Sequence, residues 1–201
     1  VPPSEQTIVG NVYDKYGTRN PVARLLMRGF LASVSELYAS VAPRRVLEVG
    51  CGEGRLAHHL VTEARRPEVF DACDLALGKI AEGLDPLIRF REASVYDLPF
   101  PDRSYDLVVC CEVLEHLDDP ARGLREIARV TRRFALLSTP REPLWRALNV
   151  MRGKYLPDLG NTPGHVQHWS SRGLVALARR ELRVVAVRRP LPWTVVLGER
   201  P

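Results

Sequence analysis

Lysine is nearly absent from this chain. Of its 29 basic residues only Lys15, Lys79 and Lys154 are lysine, and the rest are arginine. With abundant Ala, Leu, Val and Pro, that usage reads as genome base composition, so the net charge of +5 is weak ground for a polyanionic partner. Long apolar runs are missing too. None exceeds the five residues of Leu107–Cys111, against the roughly 20 that a membrane-spanning helix needs. Val1-Pro2-Pro3-Ser4-Glu5 has neither the basic start nor the apolar centre of a secretory signal. It also lacks an initiator Met, as expected of a processed or trimmed chain. Cysteine is limited to Cys51, Cys73, Cys110 and Cys111, with no CxxC pair. Paired-cysteine zinc binding is thereby disfavoured, and reduced thiols in a cytoplasmic protein are the expectation. There is no internal repeat.

What is present suits one folded domain over residues 1–201, 45% hydrophobic and 26% charged. Asn20-Pro21 predicts a helix start, and Leu25, Leu26, Phe30, Val34, Leu37 and Tyr38 carry helical spacing through Val41. Strands are predicted at Arg45–Val49, Val69–Asp74, Leu87–Glu92, Tyr105–Cys111 and Phe134–Ser138. Helices are predicted between them at Arg55–Ala64, Leu77–Gly83 and from Asp119-Pro120 to about Val130. A short helix over Glu142–Val150 and a Gly/Pro-rich loop over Gly153–Pro163 follow. Ser170 then caps a helix to Arg180, and Leu182–Val187 and Trp193–Leu197 close the chain as strands. The alternation predicts an α/β fold with a mostly parallel sheet. The brief Arg188-Arg189-Pro190 spacer makes the last two strands an antiparallel hairpin.

The strongest chemical signal is Glu48-Val49-Gly50-Cys51-Gly52-Glu53-Gly54, directly after the first strand. Glycines there let the backbone approach a ligand and start a helix tightly. Asp74, at the end of the second strand, can accept two hydrogen bonds from ribose hydroxyls. The competing reading is a tight turn with no ligand. A dinucleotide-binding turn is disfavoured because Arg55 displaces the third glycine of that fingerprint.

This segment resembles motif I of class I S-adenosylmethionine (SAM)-dependent methyltransferases, closest to the small ubiquinone/menaquinone-biosynthesis type (methyltransferase type 11). The spacing to Asp74, Tyr96-Asp97-Leu98-Pro99-Phe100, Tyr105-Asp106-Leu107-Val108 and Glu112-Val113-Leu114-Glu115-His116-Leu117 is similar as well. The resemblance implies a Rossmann-like seven-stranded sheet with helices on both faces. It divides the chain into an N-terminal lid and helix (1–41), a cofactor-binding core (45–140), an acceptor-side region (141–169) and a C-terminal helix and hairpin (170–201). SAM would be the cofactor and S-adenosylhomocysteine the product. Gly50, Gly52 and Gly54 would approach the methionine and ribose, with Cys51 inside the same turn. Glu48 would meet the amino end, Asp74 the ribose, and Leu75, Ser94 and Val95 the adenine. Cys111 would offer its backbone to the methionine end. Tyr13 and Tyr16 fall where relatives carry a lid, although packing of a terminal segment explains them equally well.

A sulfonium methyl is already activated, so the protein mainly positions the acceptor, and an oxygen acceptor also needs a base. His116 is the first candidate, with His165 and His168 of Gly164-His165-Val166-Gln167-His168-Trp169 second. Glu112, Glu115 and His116 would share one face if the chain turns helically there. The pattern resembles quinone-biosynthesis and small-RNA O-methyltransferases, which implies Glu112, Glu115, His116 and His168 (or His165) as ligands of a divalent metal. In the wider family the Glu-His pair stands without metal, and that is the preferred expectation. Arg122, Arg125, Arg129 and Arg132 form a helical stripe that suits RNA or a solvated face, and the lack of interleaved aromatics favours the latter. A small-molecule acceptor is therefore expected, selected by Pro143–Trp169. The alternatives are a metal-assisted enzyme acting on RNA ends or a quinone-like acceptor, and a SAM-binding protein without turnover.

Overall fold

Helix α1 (Pro21–Val41) starts where the Asn20 side chain accepts the N–H groups of Val22 (2.9 Å) and Ala23 (3.1 Å), with Pro21 in the first turn. Its buried face, Met27, Phe30, Val34, Leu37 and Tyr38, follows the helical period. In the computed structural model, residues 20–78 and 80–201 are described. Tyr13 and Tyr16 lie outside the described residues.

The sheet is built outward from β1 (Arg45–Val49). The chain first runs to β2 (Val69–Asp74) and β3 (Ile88–Glu92) on one side, then returns to place β4 (Tyr105–Cys111) and β5 (Thr131–Pro140) on the other. These five strands are parallel. Strand β7 (Trp193–Glu199) inserts antiparallel between β5 and β6 (Arg183–Arg188), giving the order β3-β2-β1-β4-β5-β7-β6. The order reverses beside β1, so the crevice beyond the C-terminal ends of β1 and β4 is where this topology holds ligands.

Side chains of β4 alternate between two cores. Leu107, Val109 and Cys111 face α1 and α2 (Arg55–His59, continued by a wider turn over Leu60–Ala64). Val108 and Cys110 face α3 (Pro120–Val130) and α5 (Ser171–Ala178), with Leu124, Ile127 and Leu174. Both cores exclude water, and each fully buried Leu or Ile contributes about 2 kcal/mol. Helices therefore cover both faces, as expected. Helix α4 (Leu144–Met151) and a short turn at Leu156–Asp158 fill the acceptor-side region.

The helix expected over Leu77–Gly83 does not form among its described residues. Its amides find partners elsewhere: Leu77 N–H donates to the Glu92 carboxylate (3.0 Å) and Ala81 N–H to the Glu53 carbonyl (3.0 Å). Gly83 closes the segment at φ +71°.

Candidate active site

The glycine turn leaves β1 with Gly50, Gly52 and Gly54 all at positive φ. Gly50 is the tightest position: at φ +77°, a Cβ there would lie 2.1 Å from Cγ2 of Val113, on the segment leaving β4. The turn is held from β2. The Cys73 carbonyl accepts from Gly50 N–H (2.7 Å) and Cys51 N–H (3.0 Å). The Asp74 carboxylate accepts Gly52 N–H (2.8 Å) through one oxygen and Leu75 N–H (2.8 Å) through the other. Asp74 thus fixes the turn with one lone pair of each oxygen and keeps further acceptor capacity for a ligand. Leu75 is 57% exposed beside it, an apolar surface that a flat ligand would cover. Ser94 accepts the Tyr96 N–H (3.2 Å) and pairs with Asp97, which leaves Val95 buried and Ser94 half-buried.

Glu48 lies under the turn and is buried. Its Oε2 has no hydrogen-bond partner among the described residues. Burial first, and the neighbouring Asp74 charge second, push its pKa up to about 8, against a backbone bond from Ala57 that lowers it. A buried carboxyl with an unused oxygen, beside a cradle that only glycine fits, suits a ligand bearing a cationic group. Burial also raises the thiols of Cys51, Cys73 and Cys111, Cys73 to about 12, so they are packing groups rather than nucleophiles.

At the end of β4 the chain departs from expectation. Glu112 adopts φ +63°, and the following single turn, Leu114–His116, is tighter than an α-helix. The Glu112 carboxylate therefore points toward β5 and β7, accepting from Ser138 Oγ (3.1 Å) and Trp193 Nε1 (2.7 Å). Glu115, His116 and His165 come together instead, with donor atoms within 4.8 Å of one another. Glu115 is buried, and its carbonyl accepts Val166 N–H (2.9 Å) and Gln167 N–H (3.0 Å), strapping the acceptor-side segment onto this turn. His168 is not part of the cluster; its Nε2 meets Asn161 Oδ1 at 2.9 Å. The expected quartet of Glu112, Glu115, His116 and His168 is thus replaced by Glu115, His116 and His165.

An aromatic row runs through the site. Phe30 packs on Trp193 (5.0 Å between centroids), Trp193 on Trp145 (5.7 Å), Trp145 on His165 (6.4 Å) and His165 edge-on to His116 (4.9 Å). Trp145 donates its indole N–H to Thr162 Oγ1 (2.9 Å). Trp193 is the functional neighbour that sequence reasoning missed. Only the register Pro140↔Trp193, set by insertion of β7, brings it to Glu112, and no local spacing signals that.

Parallel strands reversing at β1, a glycine cradle and an acid at the end of β2 define a class I SAM-dependent methyltransferase domain. Residues 47–138 match the family described as "Methyltransferase domain", and the chain belongs to the class I SAM-dependent methyltransferases. It is 41% identical over 110 residues to a probable S-adenosylmethionine-dependent methyltransferase of Mycobacterium tuberculosis, covering 52% of this chain and 40% of that protein. It is 36% identical over 129 residues to a ubiquinone biosynthesis O-methyltransferase of Xanthomonas oryzae, covering 59% and 53%. The chain therefore spans about half the length, or less, of these two relatives. The fold is shared with the N-methyltransferase NodS of Bradyrhizobium japonicum in complex with S-adenosylhomocysteine (TM-score 0.67, 16% identity, covering 91% and 89%).

Asp74→Ala removes both the turn clamp and the ribose acceptor. It should weaken S-adenosylhomocysteine binding about ten- to a hundredfold, the range expected for lost charge-assisted hydrogen bonds. An unchanged calorimetric isotherm would remove Asp74 from the binding site.

Proposed function

We propose that the protein transfers a methyl group from SAM to an oxygen of a small-molecule acceptor, with His116 taking the acceptor's proton. SAM supplies the electrophilic methyl group when bound. The chain's own residues bind and orient. Glu48 meets the amino end, Gly50, Gly52 and Gly54 admit the methionine and ribose along the turn, Asp74 accepts from the ribose, and Leu75 covers the adenine.

The observation that carries the acid–base assignment is the 2.8 Å contact between His116 Nδ1 and the Gly164 carbonyl. A carbonyl oxygen only accepts, so Nδ1 carries the hydrogen, and Nε2 is the accepting nitrogen of the neutral ring. The base is thus fixed in tautomer by a backbone group of the acceptor-side segment. His165, edge-on to His116, is the second candidate. The name of the Xanthomonas oryzae relative supports oxygen as the methylated atom. A nucleic acid acceptor is disfavoured because Arg129 of the α3 stripe is engaged with Glu126, Asp102 and the carbonyls of Leu98 and Phe100, and Arg122 lies over the Tyr96 ring. With labelled SAM and a panel of phenols and aliphatic hydroxy compounds, His116→Ala should retain cofactor affinity and lose about a hundredfold or more in turnover. Normal turnover would sink this role.

A second reading has a specific observation behind it. Two imidazoles and a buried carboxylate within 4.8 Å form a donor set suited to Mn²⁺ or Fe²⁺, which would polarise the acceptor oxygen. The Gly164 bond orients His116 as an outer-shell partner orients a metal ligand. Titrating chelator-treated protein with Mn²⁺ separates the two readings. Under the metal reading, binding heat appears in the native chain and is absent in His165→Ala. No heat in the native chain leaves His116 as a simple base.

A further inference from the structure

We infer that the outer surface of α4 and its following turns is a docking face for an anionic lipid bilayer. Of the large apolar side chains this protein exposes, four fall within ten residues: Val150, Met151 (79% exposed), Leu156 and Leu159 (71%). They are held together by the backbone and not scattered along a loose loop. Gly153 N–H donates to the Val150 carbonyl (2.9 Å), Gly160 N–H to Tyr155 (2.8 Å) and Leu159 N–H to Leu156 (3.1 Å). At Gly160 an added Cβ would come within 2.9 Å of Val150 Cγ2 and 2.3 Å of the Arg146 carbonyl, so the turns lie directly against α4. Apolar side chains clustered at this exposure mark a surface that meets something less polar than water.

The charges beside them choose the occupant. Arg146, Arg152 and Lys154 flank the apolar tips, against Asp158 alone within the same turns. Arg146 donates to the Leu159 carbonyl (3.1 Å) and Arg152 to the Asn149 side-chain oxygen. Both bonds are to neutral groups, so both guanidinium charges persist at the surface. Apolar tips ringed by arginine and lysine match the boundary between acyl chains and anionic headgroups. A protein partner's rim would need acidic groups placed against these cations, and nothing here selects such geometry. The face is also joined to the site. Thr162, two residues beyond Gly160, accepts the Trp145 indole, and Gly164 holds His116. A docked surface would therefore sit next to the acceptor side. Resting on the proposed methyl transfer, this makes the acceptor an apolar hydroxy compound dissolved in the bilayer.

The test needs neither acceptor nor cofactor, so its failure and the failure of methyl transfer are separate results. The full chain is sedimented with vesicles of phosphatidylcholine alone and of equal phosphatidylcholine and phosphatidylglycerol. The native chain should partition to the anionic vesicles and not to the neutral ones, and salt should weaken binding. The double variant Met151→Glu/Leu159→Glu should bind at least about tenfold more weakly, since two apolar anchors are lost and two repelling charges gained. Its S-adenosylhomocysteine isotherm should match the native one, showing that the fold survives. Native protein left in the supernatant with anionic vesicles would overturn the inference, as would undiminished binding by the variant. A dimer in light scattering that the same substitutions dissolve would assign the face to a second copy and overturn it equally.

Discussion

Gly50→Ala should remove cofactor binding and lower the melting temperature by about 5–15 °C. Two separable effects add. The left-handed backbone at φ +77° costs alanine about 1 kcal/mol. The contact of 2.1 Å with Val113 must also be relieved by shifting the segment after β4, as in an overpacked core, at about 1–3 kcal/mol. At this chain length each kcal/mol is worth about 2–4 °C. Two controls divide the effects. Gly83 has a similar φ of +71° with nothing near its Cβ position, so Gly83→Ala should show the backbone part alone. Gly50→Ala/Val113→Ala should recover the steric part but not the strain. Equal melting temperatures for Gly50→Ala and Gly83→Ala would mean that the cradle has room to spare, and the close approach argued for the site would be lost.

Glu48→Gln should abolish a pH dependence that the native chain carries. Glu48 has a pKa of about 8 in the fold against 4.5 as the ordinary value. Between these values the folded chain holds a proton that the unfolded chain has released. Stability therefore falls as pH rises through that window and is level on either side, with a span on the order of 4 kcal/mol. Glutamine keeps the shape and carries no titration, so the variant should lose this slope and melt higher than the native chain near pH 9. Cofactor binding runs the opposite way. A cationic amino group beside Glu48 favours the ionised form, so binding near pH 7 should release a proton and tighten as pH approaches 8. Calorimetry in two buffers of different ionisation heat counts that proton. Glu48→Gln should bind at least about tenfold more weakly and release none. Proton release that persists in the variant would place the linkage on another group.

Local chemistry was readable where local chemistry decides. The bounds of β1, β2 and β4 coincide with their apolar runs, because a parallel strand buried on both faces has to be apolar throughout. Asn20, Asp119 and Ser170 cap the helices expected of them, since a cap is made within three residues. Elements decided by distant partners were not readable. The residues after Asp74 give their amides to Glu53 and Glu92 and so form no helix. β5 extends beyond Phe134–Ser138 at both ends because β4 pairs with Thr131 and β7 with Pro140. At the site, the glycine turn and Asp74 stand in adjacent units, and the sequence pairs them. The choice of His165 over His168, and the turning away of Glu112, follow from a left-handed residue and from straps to Glu115, neither of which has a spacing signature.

The seating of β7 inside the sheet also orders events at the ribosome. Glu112 waits 81 residues for the indole of Trp193, about 4–16 s at ordinary synthesis rates. Throughout that interval the open edge of β5 has only a later strand to pair with, and a hairpin-like docking of β6 there would block the correct one. Nascent chains paused before Trp193 should accordingly be the aggregation-prone, chaperone-dependent species, and the pocket floor becomes complete only after the catalytic turn has already been made.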